Sequence, residues 1–408
     1  MNNFRKHFPM LTNNPDFVYF DNGATTLKPK TVIEAEEFYL KSISANPHTN
    51  DYQAAYQANE IIRETRQQTA QFINAASPNE IVFTSGTTFA INQIAHGLRK
   101  KINPGDEILT TSVEHSANLL PWIVMANQTQ AKVKTLPLTA AGAIDLEQLS
   151  QAINAQTKIV SFAHVSNTFG YENNIEEIVK VIRKCNPRVI IVVDAAQSVA
   201  HTEIDVQQWD IDFLALSAHK MYGPFGLGIL WGKLALLDEL EPLLYGGGMS
   251  LSIADNLQDY QLASTPDKFE GGTPNISAIY AFQKALEFIT KIGIKNIKTH
   301  ELNLKKYFIE QVKKHNLQSK IEFYNLNNAS PLIILNVKGI NPQDIATFLD
   351  LKYQIATRSG SHCARRTVDL IETKVSLRIS FAIYNTIAEI DRLIEALNHS
   401  EEFLDVLF

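Results

Sequence analysis

Short apolar runs rich in β-branched residues alternate with stretches of helical periodicity over residues 20–235. Segments 88–99 and 174–184 carry apolar residues at i, i+3 and i+4, the spacing typical of an amphipathic helix. Strands that alternate with helices favour a mostly parallel sheet covered on both faces, so the predicted fold class is α/β. The predicted strands are EIVFT (80–84), EILTT (107–111), AKVKTL (131–136), KIVSFA (158–163), RVIIVVD (188–194), DFLALS (212–217) and LGILW (227–231).

The pattern changes beyond about residue 280, and the chain of 408 residues is longer than a single hydrophobic core usually supports. We therefore predict a large domain over residues 19–270 and a smaller α+β domain built from residues 1–18 and 271–408. The second part contains helical patterns at 277–290 and 296–314, a strand PLIILNV (331–337), a helix from Pro342, a loop RSGSHCARR (358–366), a strand VSLRISF (375–381) and a helix from Thr386.

Charge and composition exclude several classes of function. The chain has 37 Lys and Arg against 43 Asp and Glu, so its net charge of -6 gives no reason to expect a nucleic-acid partner. The N-terminus lacks the apolar region of a signal peptide, and no run of about 18 apolar residues predicts a membrane span. Two cysteines are too few for a disulfide framework or a structural zinc site, so we expect no metal centre. These features favour a reduced, cytoplasmic protein.

Two charged residues lie at or just beyond the ends of predicted strands. Lys220 lies three residues beyond DFLALS, at the sheet edge where ligands of open α/β sheets bind, although a lysine there is often an ordinary surface residue. Asp194 ends the most hydrophobic strand, where a carboxylate is costly unless it has a cationic partner. The pyridinium nitrogen of pyridoxal 5'-phosphate is such a partner. The alternative is a helix N-cap, since AAQS follows Asp194.

Nine motifs decide between these alternatives, because together and in this order they resemble one family. The chain is similar to fold-type I pyridoxal-phosphate enzymes of the class V aminotransferase group, and within it to cysteine desulfurases of the SufS-like group II branch. The resemblance implies a large domain with a mostly parallel seven-stranded sheet and a smaller α+β domain. The motifs are YFDNGATT (19–26), TSGTTFAIN (84–92), VEHSANLLPW (113–122), HVSNTFG (164–170), VDAAQS (193–198), SAHKMYGP (217–224), FEGGTPN (269–275), RSGSHCA (358–364) and LRISFAIYNT (377–386).

The resemblance also implies roles for individual residues around the cofactor. Lys220 resembles the Schiff-base lysine, and Asp194 resembles the partner of the ring nitrogen. Gln197 resembles the partner of the ring hydroxyl, with Asn167 beside it, and His115 resembles the imidazole stacked on the ring. The residues that resemble phosphate ligands are Thr87, Thr88, Ser217, His219 and Thr273, the last supplied by a second subunit, which implies a homodimer. Taken singly, His115 is compatible with an ordinary half-buried histidine, Ser217 with a turn residue and Thr87–Thr88 with a helix cap.

Cys363 determines the expected chemistry. It lies at the nucleophile position of the loop RSGSHCARR, and Arg358, Arg365 and Arg366 favour its thiolate. Cys185, at a predicted helix end, is interpreted as structural. The resemblance implies that Lys220 removes the α-proton of L-cysteine and that Cys363 then attacks the substrate sulfur. Cys363 becomes a persulfide, alanine is released, and His115 serves as a proton donor.

Substrate contacts and a sulfur acceptor complete the prediction. Arg378 resembles the residue that binds the substrate α-carboxylate, and Arg358 resembles a second contact, with an internal salt bridge as the alternative at either position. Asn167 and His48 are further expected substrate contacts. The expected acceptor is a SufU-, SufE- or IscU-like protein that serves iron–sulfur cluster assembly or tRNA thiolation.

The chain departs from the SufS-like pattern near the expected substrate entrance. Tyr52 and Ser361 replace two usual histidines, and Arg365-Arg366 replace a more neutral continuation. We therefore expect weak intrinsic turnover with strong stimulation by an acceptor protein.

Three other functions stay open on the sequence. They are a selenocysteine or cysteine-sulfinate lyase that does not need Cys363, a class V aminotransferase proper, and a non-catalytic homologue that retains the fold. The last is disfavoured because Lys220, Asp194, His115, Cys363 and Arg378 are all intact.

Overall fold

The seven predicted strands all form one sheet in the computed structural model, which describes residues 4–407, and their ends differ from prediction by one or two residues. The spatial order is β1-β7-β6-β5-β4-β2-β3; β7 runs antiparallel to both neighbours and the other pairs are parallel. This confirms the predicted α/β class and the mostly parallel seven-stranded sheet. The strands are β1 (Ile81–Thr84), β2 (Glu107–Thr110), β3 (Lys132–Thr135), β4 (Thr157–Ala163), β5 (Ile190–Asp194), β6 (Phe213–Ser217) and β7 (Gly228–Gly232).

Both faces of the sheet are buried, which explains why its central strands are continuously apolar. Val193 of β5 joins one hydrophobic core and Val192 joins the core on the opposite face, as successive side chains of a strand must. Helices cover each face: Thr87–Leu98 and Leu120–Thr129 lie on one, and Gln53–Phe72 and Ile175–Cys185 on the other. The remaining helices of eight or more residues are Lys30–Ser42, Ile276–Ile292, Ile294–Lys314, Pro342–Tyr353 and Ile387–Asn398.

A second, antiparallel sheet lies in the C-terminal part of the chain. Its strands are β8 (Ile321–Phe323), β9 (Leu332–Val337), β10 (Arg358–Gly360) and β11 (Ser376–Ser380), in the order β8-β9-β11-β10. Its own hydrophobic core includes Phe348 and Leu393 from the helices packed against it. The α+β character predicted for this region is confirmed.

The helix Ile276–Ile292 packs with the large sheet rather than with the small one. Its residues Ile279, Phe282 and Leu286 belong to the core that contains Val193, and the N-terminal residue Phe8 joins the same core. The predicted division of the chain at residue 271 stays a prediction, but the apolar core of the large sheet extends beyond it.

One hairpin has no counterpart among the predicted elements. Strands Ser250–Ile253 and Tyr260–Leu262 pair with each other alone, and Leu251, Ile253 and Leu257 are 70%, 62% and 83% exposed. The hairpin therefore presents apolar side chains to the surface of the chain.

Within residues 4–407, no helix combines the length and the apolar character that crossing a bilayer requires. Cellular location stays a prediction.

The last long helix, Ile387–Asn398, begins with a capping box. The Thr386 hydroxyl accepts a hydrogen bond from the Glu389 N–H, and the Glu389 carboxylate accepts one from the Thr386 N–H. We expect Thr386→Ala to lower the free energy of unfolding by about 1 kcal/mol, because the Glu389 N–H loses the hydroxyl that accepts its hydrogen bond. Urea unfolding checks this, with Thr386→Ser as the control that keeps the hydroxyl. Identical unfolding curves for Thr386→Ala and the unchanged protein would contradict the capping role.

Candidate active site

A cavity of about 240 Å³ opens at the carboxyl ends of β4, β5 and β6. Of the fourteen predicted site residues, twelve line it. A larger depression, of about 1380 Å³, lies against the small sheet and contains none of the fourteen. The twelve are Thr87, Thr88, His115, Asn167, Asp194, Gln197, Ser217, His219, Lys220, Arg358, Cys363 and Arg378.

Lys220 ends a short 3-10 turn, Ala218–Lys220, that directly follows β6. This position carries its half-buried side chain into the cavity. Removal from bulk water lowers the pKa of the amine to about 8, although the nearby carboxylate of Asp194 opposes the shift. A substantial fraction of this amine is therefore neutral near pH 8, the form that attacks an aldehyde or accepts a proton.

Asp194 is 5% exposed at the end of β5, and burial raises its pKa. Its Oδ1 accepts a hydrogen bond from the Ala196 N–H at 2.9 Å, but residues 196–201 form turns rather than a helix, so the helix N-cap named as an alternative is not formed. Among residues 4–407, no Lys, Arg or His nitrogen lies within salt-bridge distance of this carboxylate. A buried carboxylate that has no such cationic neighbour is suited to pair with the cationic ring nitrogen of a cofactor bound in the cavity.

The N-terminus of a helix and the hydroxyls of Thr87 and Ser217 line another part of the cavity. The helix Thr87–Leu98 begins after Gly86, and the Thr87 N–H donates to the Ser217 hydroxyl at 2.9 Å. Gly228 of β7 permits this approach, because a Cβ there would lie 2.4 Å from the Gly86 Cα. The position suits a phosphate, which binds well at helix N-termini. Together with Asp194 and Lys220, the donor set fits pyridoxal phosphate.

Two histidines of the cavity are uncharged near neutral pH. Burial, with the charge of Lys220 as the next cause, lowers the pKa of both His115 and His219 to about 4. The His115 Nδ1 accepts a hydrogen bond from the Ala117 N–H at 3.0 Å, so the proton of this ring is on Nε2. His219 stacks against Phe225, with ring centroids 5.7 Å apart.

The cysteine loop is held against the large sheet by three hydrogen bonds. His362 and Cys363 both have a positive φ angle, 52° and 57°, a backbone conformation that is unfavourable for residues other than glycine. The Asn167 amide donates to the His362 carbonyl at 2.7 Å. The Ser116 N–H and hydroxyl donate to the Cys363 carbonyl at 2.8 and 2.9 Å. These bonds hold an exposed, free Cys363 at the rim of the cavity.

Two arginines that line the cavity share the carboxylate of Asp21 as an ion-pair partner. Arg378, on β11, is 3% exposed, and its Nη1 donates to the Asn167 carbonyl at 2.9 Å. Its Nη2 lies 3.3 Å from one carboxylate oxygen of Asp21, and Arg358 Nη1 lies 3.4 Å from the other. The internal salt bridges named as an alternative are therefore present in the chain, and the carboxylate of Asp21 joins both arginines.

The remaining predictions have different outcomes. His48 and Thr273 do not line this cavity; His48 lies against the Gly272 carbonyl, and Thr273 accepts a hydrogen bond from Asn46. Gln197 lines the cavity and donates to the Gly23 carbonyl at 2.7 Å. Cys185 is exposed at the end of its helix, so it does not pack in a core as a structural cysteine would.

Asp21, Ser116 and Glu114 were not predicted as site residues, although all three lie inside motifs used above. Glu114 accepts hydrogen bonds from Thr111, Asn118 and the Ala163 N–H, and burial raises its pKa to about 7. These bonds fix the segment that carries His115. The sequence offered two signals. Glu114 is an acidic residue next to the predicted site residue His115, and Asp21 is an acidic residue two positions before Gly23.

Comparison with known proteins gives one consistent result. The family model described as aminotransferase class-V matches residues 18–393. A probable cysteine desulfurase of Ureaplasma parvum is 40% identical, and the match covers 98% of each chain. A cysteine desulfurase of Wigglesworthia glossinidia brevipalpis is 36% identical over 98% of this chain and 97% of that protein.

Solved structures agree. The cysteine desulfurase CsdA of Escherichia coli, in an S-sulfonic acid form, superposes with a TM-score of 0.90 at 33% identity and covers 98% of this chain and 99% of that one. The apo cysteine desulfurase of Thermococcus onnurineus has the same TM-score at 34% identity, with 97% and 96% coverage. The chain belongs to the class-V aminotransferase family of fold-type I enzymes, and the relatives described above are cysteine desulfurases or probable cysteine desulfurases.

Proposed function

We propose that this protein is a pyridoxal-phosphate-dependent cysteine desulfurase that converts L-cysteine to L-alanine and holds the sulfur as a persulfide on Cys363. The observation that carries the proposal is the convergence of Cys363, Lys220, Asp194 and His115 on one cavity. The first belongs to the small-sheet region; Asp194 ends strand β5 of the large sheet, and Lys220 and His115 lie in segments that follow its strands. Cysteine desulfurase relatives at 35–40% identity over nearly the whole chain support the same reaction.

The residues that would hold the cofactor are Lys220, Asp194, Gln197, His115 and the phosphate group of side chains, Thr87, Thr88, Ser217 and His219. When bound, pyridoxal phosphate supplies an electron sink that acidifies the α-carbon of the amino acid. The Asp194 carboxylate would stabilise a protonated ring nitrogen of the cofactor, and this nitrogen would serve as its ionic partner.

The protein groups then divide the reaction between them. Arg378 and Arg358 bind the α-carboxylate of L-cysteine, and the neutral amine of Lys220 accepts the α-proton at Nζ. The thiolate of Cys363 attacks the substrate sulfur, so that an S–S bond forms and the Cβ–S bond breaks with its electron pair on carbon. Return of the α-proton from Lys220 and protonation of that carbon complete alanine, with His115, which lines the cavity, as the proposed proton donor.

The finer parts of the proposal concern assembly and partners. A sulfur-acceptor protein of the SufU-, SufE- or IscU-like kind takes the sulfur for iron–sulfur cluster assembly or tRNA thiolation. The exposure of Cys363 supports direct transfer to such a partner. A homodimer places Thr273 at the phosphate of the neighbouring site. The exposed position of Thr273, outside its own cavity, supports that arrangement.

Replacement of Cys363 tests the reaction. We expect Cys363→Ser to reduce alanine formation from L-cysteine by about 100-fold or more and to abolish the persulfide, because a serine hydroxyl is not ionised at neutral pH. Amino-acid analysis and mass spectrometry of the peptide that contains residue 363 measure both. Cys185→Ser is the matched control and keeps full activity. Full-rate alanine release by Cys363→Ser would favour a lyase that needs no cysteine.

The lowered pKa of Lys220 predicts a pH dependence for cofactor uptake. Only the neutral amine attacks the aldehyde, so the rate at which the apo protein binds pyridoxal phosphate rises through pH 8 and levels off above it. An ordinary lysine with a pKa of about 10.4 would show a rate still rising at pH 10. Stopped-flow absorbance measures the rate, and borohydride reduction with peptide mapping confirms attachment to Lys220. Lys220→Arg is the control that forms no adduct.

Replacement of Thr273 tests whether the phosphate site is shared between two subunits. Thr273→Ala is expected to weaken pyridoxal-phosphate binding by roughly tenfold or more, because one hydrogen bond to a charged phosphate is lost, whereas Thr273→Ser keeps it. Mixed dimers of Thr273→Ala and Lys220→Ala chains regain one site with full affinity, since Lys220 and Thr273 then come from different chains. Unchanged affinity in Thr273→Ala would contradict the shared site.

A further inference from the structure

The carboxylate of Asp21 lies between the two arginines that the proposed reaction assigns to the substrate. One of its oxygens lies 3.3 Å from Arg378 Nη2 and the other 3.4 Å from Arg358 Nη1. Asp21 forms a parallel bridge with Ser380, two residues beyond Arg378 on β11. Alternate residues of a strand lie on the same face, so this pairing brings Asp21 and Arg378 together.

Surrounding contacts leave Asp21 and Arg378 little freedom. The Asp21 carbonyl accepts hydrogen bonds from the Ala24 N–H at 3.1 Å and from the Tyr19 hydroxyl at 3.3 Å. A Cβ at Gly23 would lie 3.0 Å from the Arg378 Cζ, so a side chain there would press on the guanidinium. The turn Asp21–Gly23 therefore both bonds and packs against the arginine.

The charges of this cluster leave one positive charge uncompensated. Arg378 and Arg358 contribute two positive charges and Asp21 contributes one negative charge. Arg378 is 3% exposed, so solvent screens its charge poorly, and within residues 4–407 its Nε has no hydrogen-bond partner. A ligand with a single carboxylate makes the cluster neutral, whereas a doubly charged anion overcompensates it.

We infer that Asp21 is a positioning and selectivity residue, which orients Arg378 and sets the charge of the cluster to match one α-carboxylate. The inference rests on the proposed function, in which Arg378 binds that carboxylate. It assigns to Asp21 two separable effects: its hydrogen-bond acceptors orient the guanidinium, and its negative charge limits the affinity of the cluster for anions.

Charge and orientation are separated by two substitutions. Asp21→Asn keeps an acceptor and removes the charge, so the KM for L-cysteine and the inhibition constant of sulfate are both expected to fall, by roughly three- to tenfold. Asp21→Ala removes the acceptors as well, so kcat is expected to fall in this variant. In Asp21→Asn, which keeps an acceptor, kcat is expected to be higher than in Asp21→Ala. Gly23→Ala is the control that displaces the guanidinium without a change of charge, and it raises KM.

The measurement is steady-state alanine production by the holoenzyme, with sulfate as the inhibitor. Cysteamine, which lacks the carboxylate, is the matched probe, and its inhibition constant stays within about twofold in Asp21→Asn because the cluster does not contact it. A residue with only a structural role would raise KM on substitution, so a fall in KM identifies the charge effect.

Two results would overturn the inference: a KM and sulfate inhibition constant in Asp21→Asn that equal those of the unchanged enzyme, or a rise in both. Arg358→Gln offers a second route that leaves the buried Arg378 intact. It removes one positive charge and is expected to raise both constants, and the double variant with Asp21→Asn lies between the two single variants. A double variant no different from Arg358→Gln would also contradict the role of Asp21.

Failure of the proposed function is seen separately. Arg378→Gln is expected to raise the KM for L-cysteine strongly, and an unchanged KM in that variant would remove the carboxylate role itself. If Arg378→Gln raises KM while Asp21→Asn has no effect, the proposed function stands and only the inference about Asp21 fails.

Discussion

The removal of Asp194 from water at the end of β5 is the constraint on which the candidate site depends. Both faces of the sheet are buried, so a residue at the end of its central strand is surrounded by protein on most sides. The same low access to water raises the pKa of Asp194 and lowers those of Lys220, His115 and His219. Exclusion of water therefore accounts for three features of the site: a carboxylate suited to a cationic ring, a reactive amine, and two neutral imidazoles.

The position of the nucleophile depends on a different kind of interaction. Cys363 belongs to a loop in a strained conformation, and hydrogen bonds from Ser116 and Asn167 hold this loop against the large sheet. Asn167 also accepts a hydrogen bond from Arg378 through its carbonyl. The arginine assigned to the substrate and the nucleophile thus share one supporting residue.

Much of this arrangement was predictable, and the exceptions have physical reasons. The seven strands were found because burial on both faces requires apolar, β-branched runs, which are visible locally. Nine of the twelve site residues that line the cavity lie at or after strand ends of the large sheet, which meet at one edge of that sheet. Arg358, Cys363 and Arg378 come from the small-sheet region and were predicted through the family resemblance. Ser116 was missed because its role is a contact with Cys363, 247 positions away. The exposed hairpin was missed because its strands, SLSI and YQL, are short and pair only with each other.

By itself, the sequence determined the fold class, because strand periodicity is a local property, and the motifs that resemble one family predicted the lysine, aspartate and cysteine of a cofactor site. Only the tertiary structure decided which groups neutralise one another. It placed Asp21 between Arg358 and Arg378, assigned the proton of His115 to Nε2, and left His48 and Thr273 outside the cavity of their own chain. These outcomes depend on distances of a few ångströms between residues far apart in the chain, and on how much water the folded protein excludes from each charge.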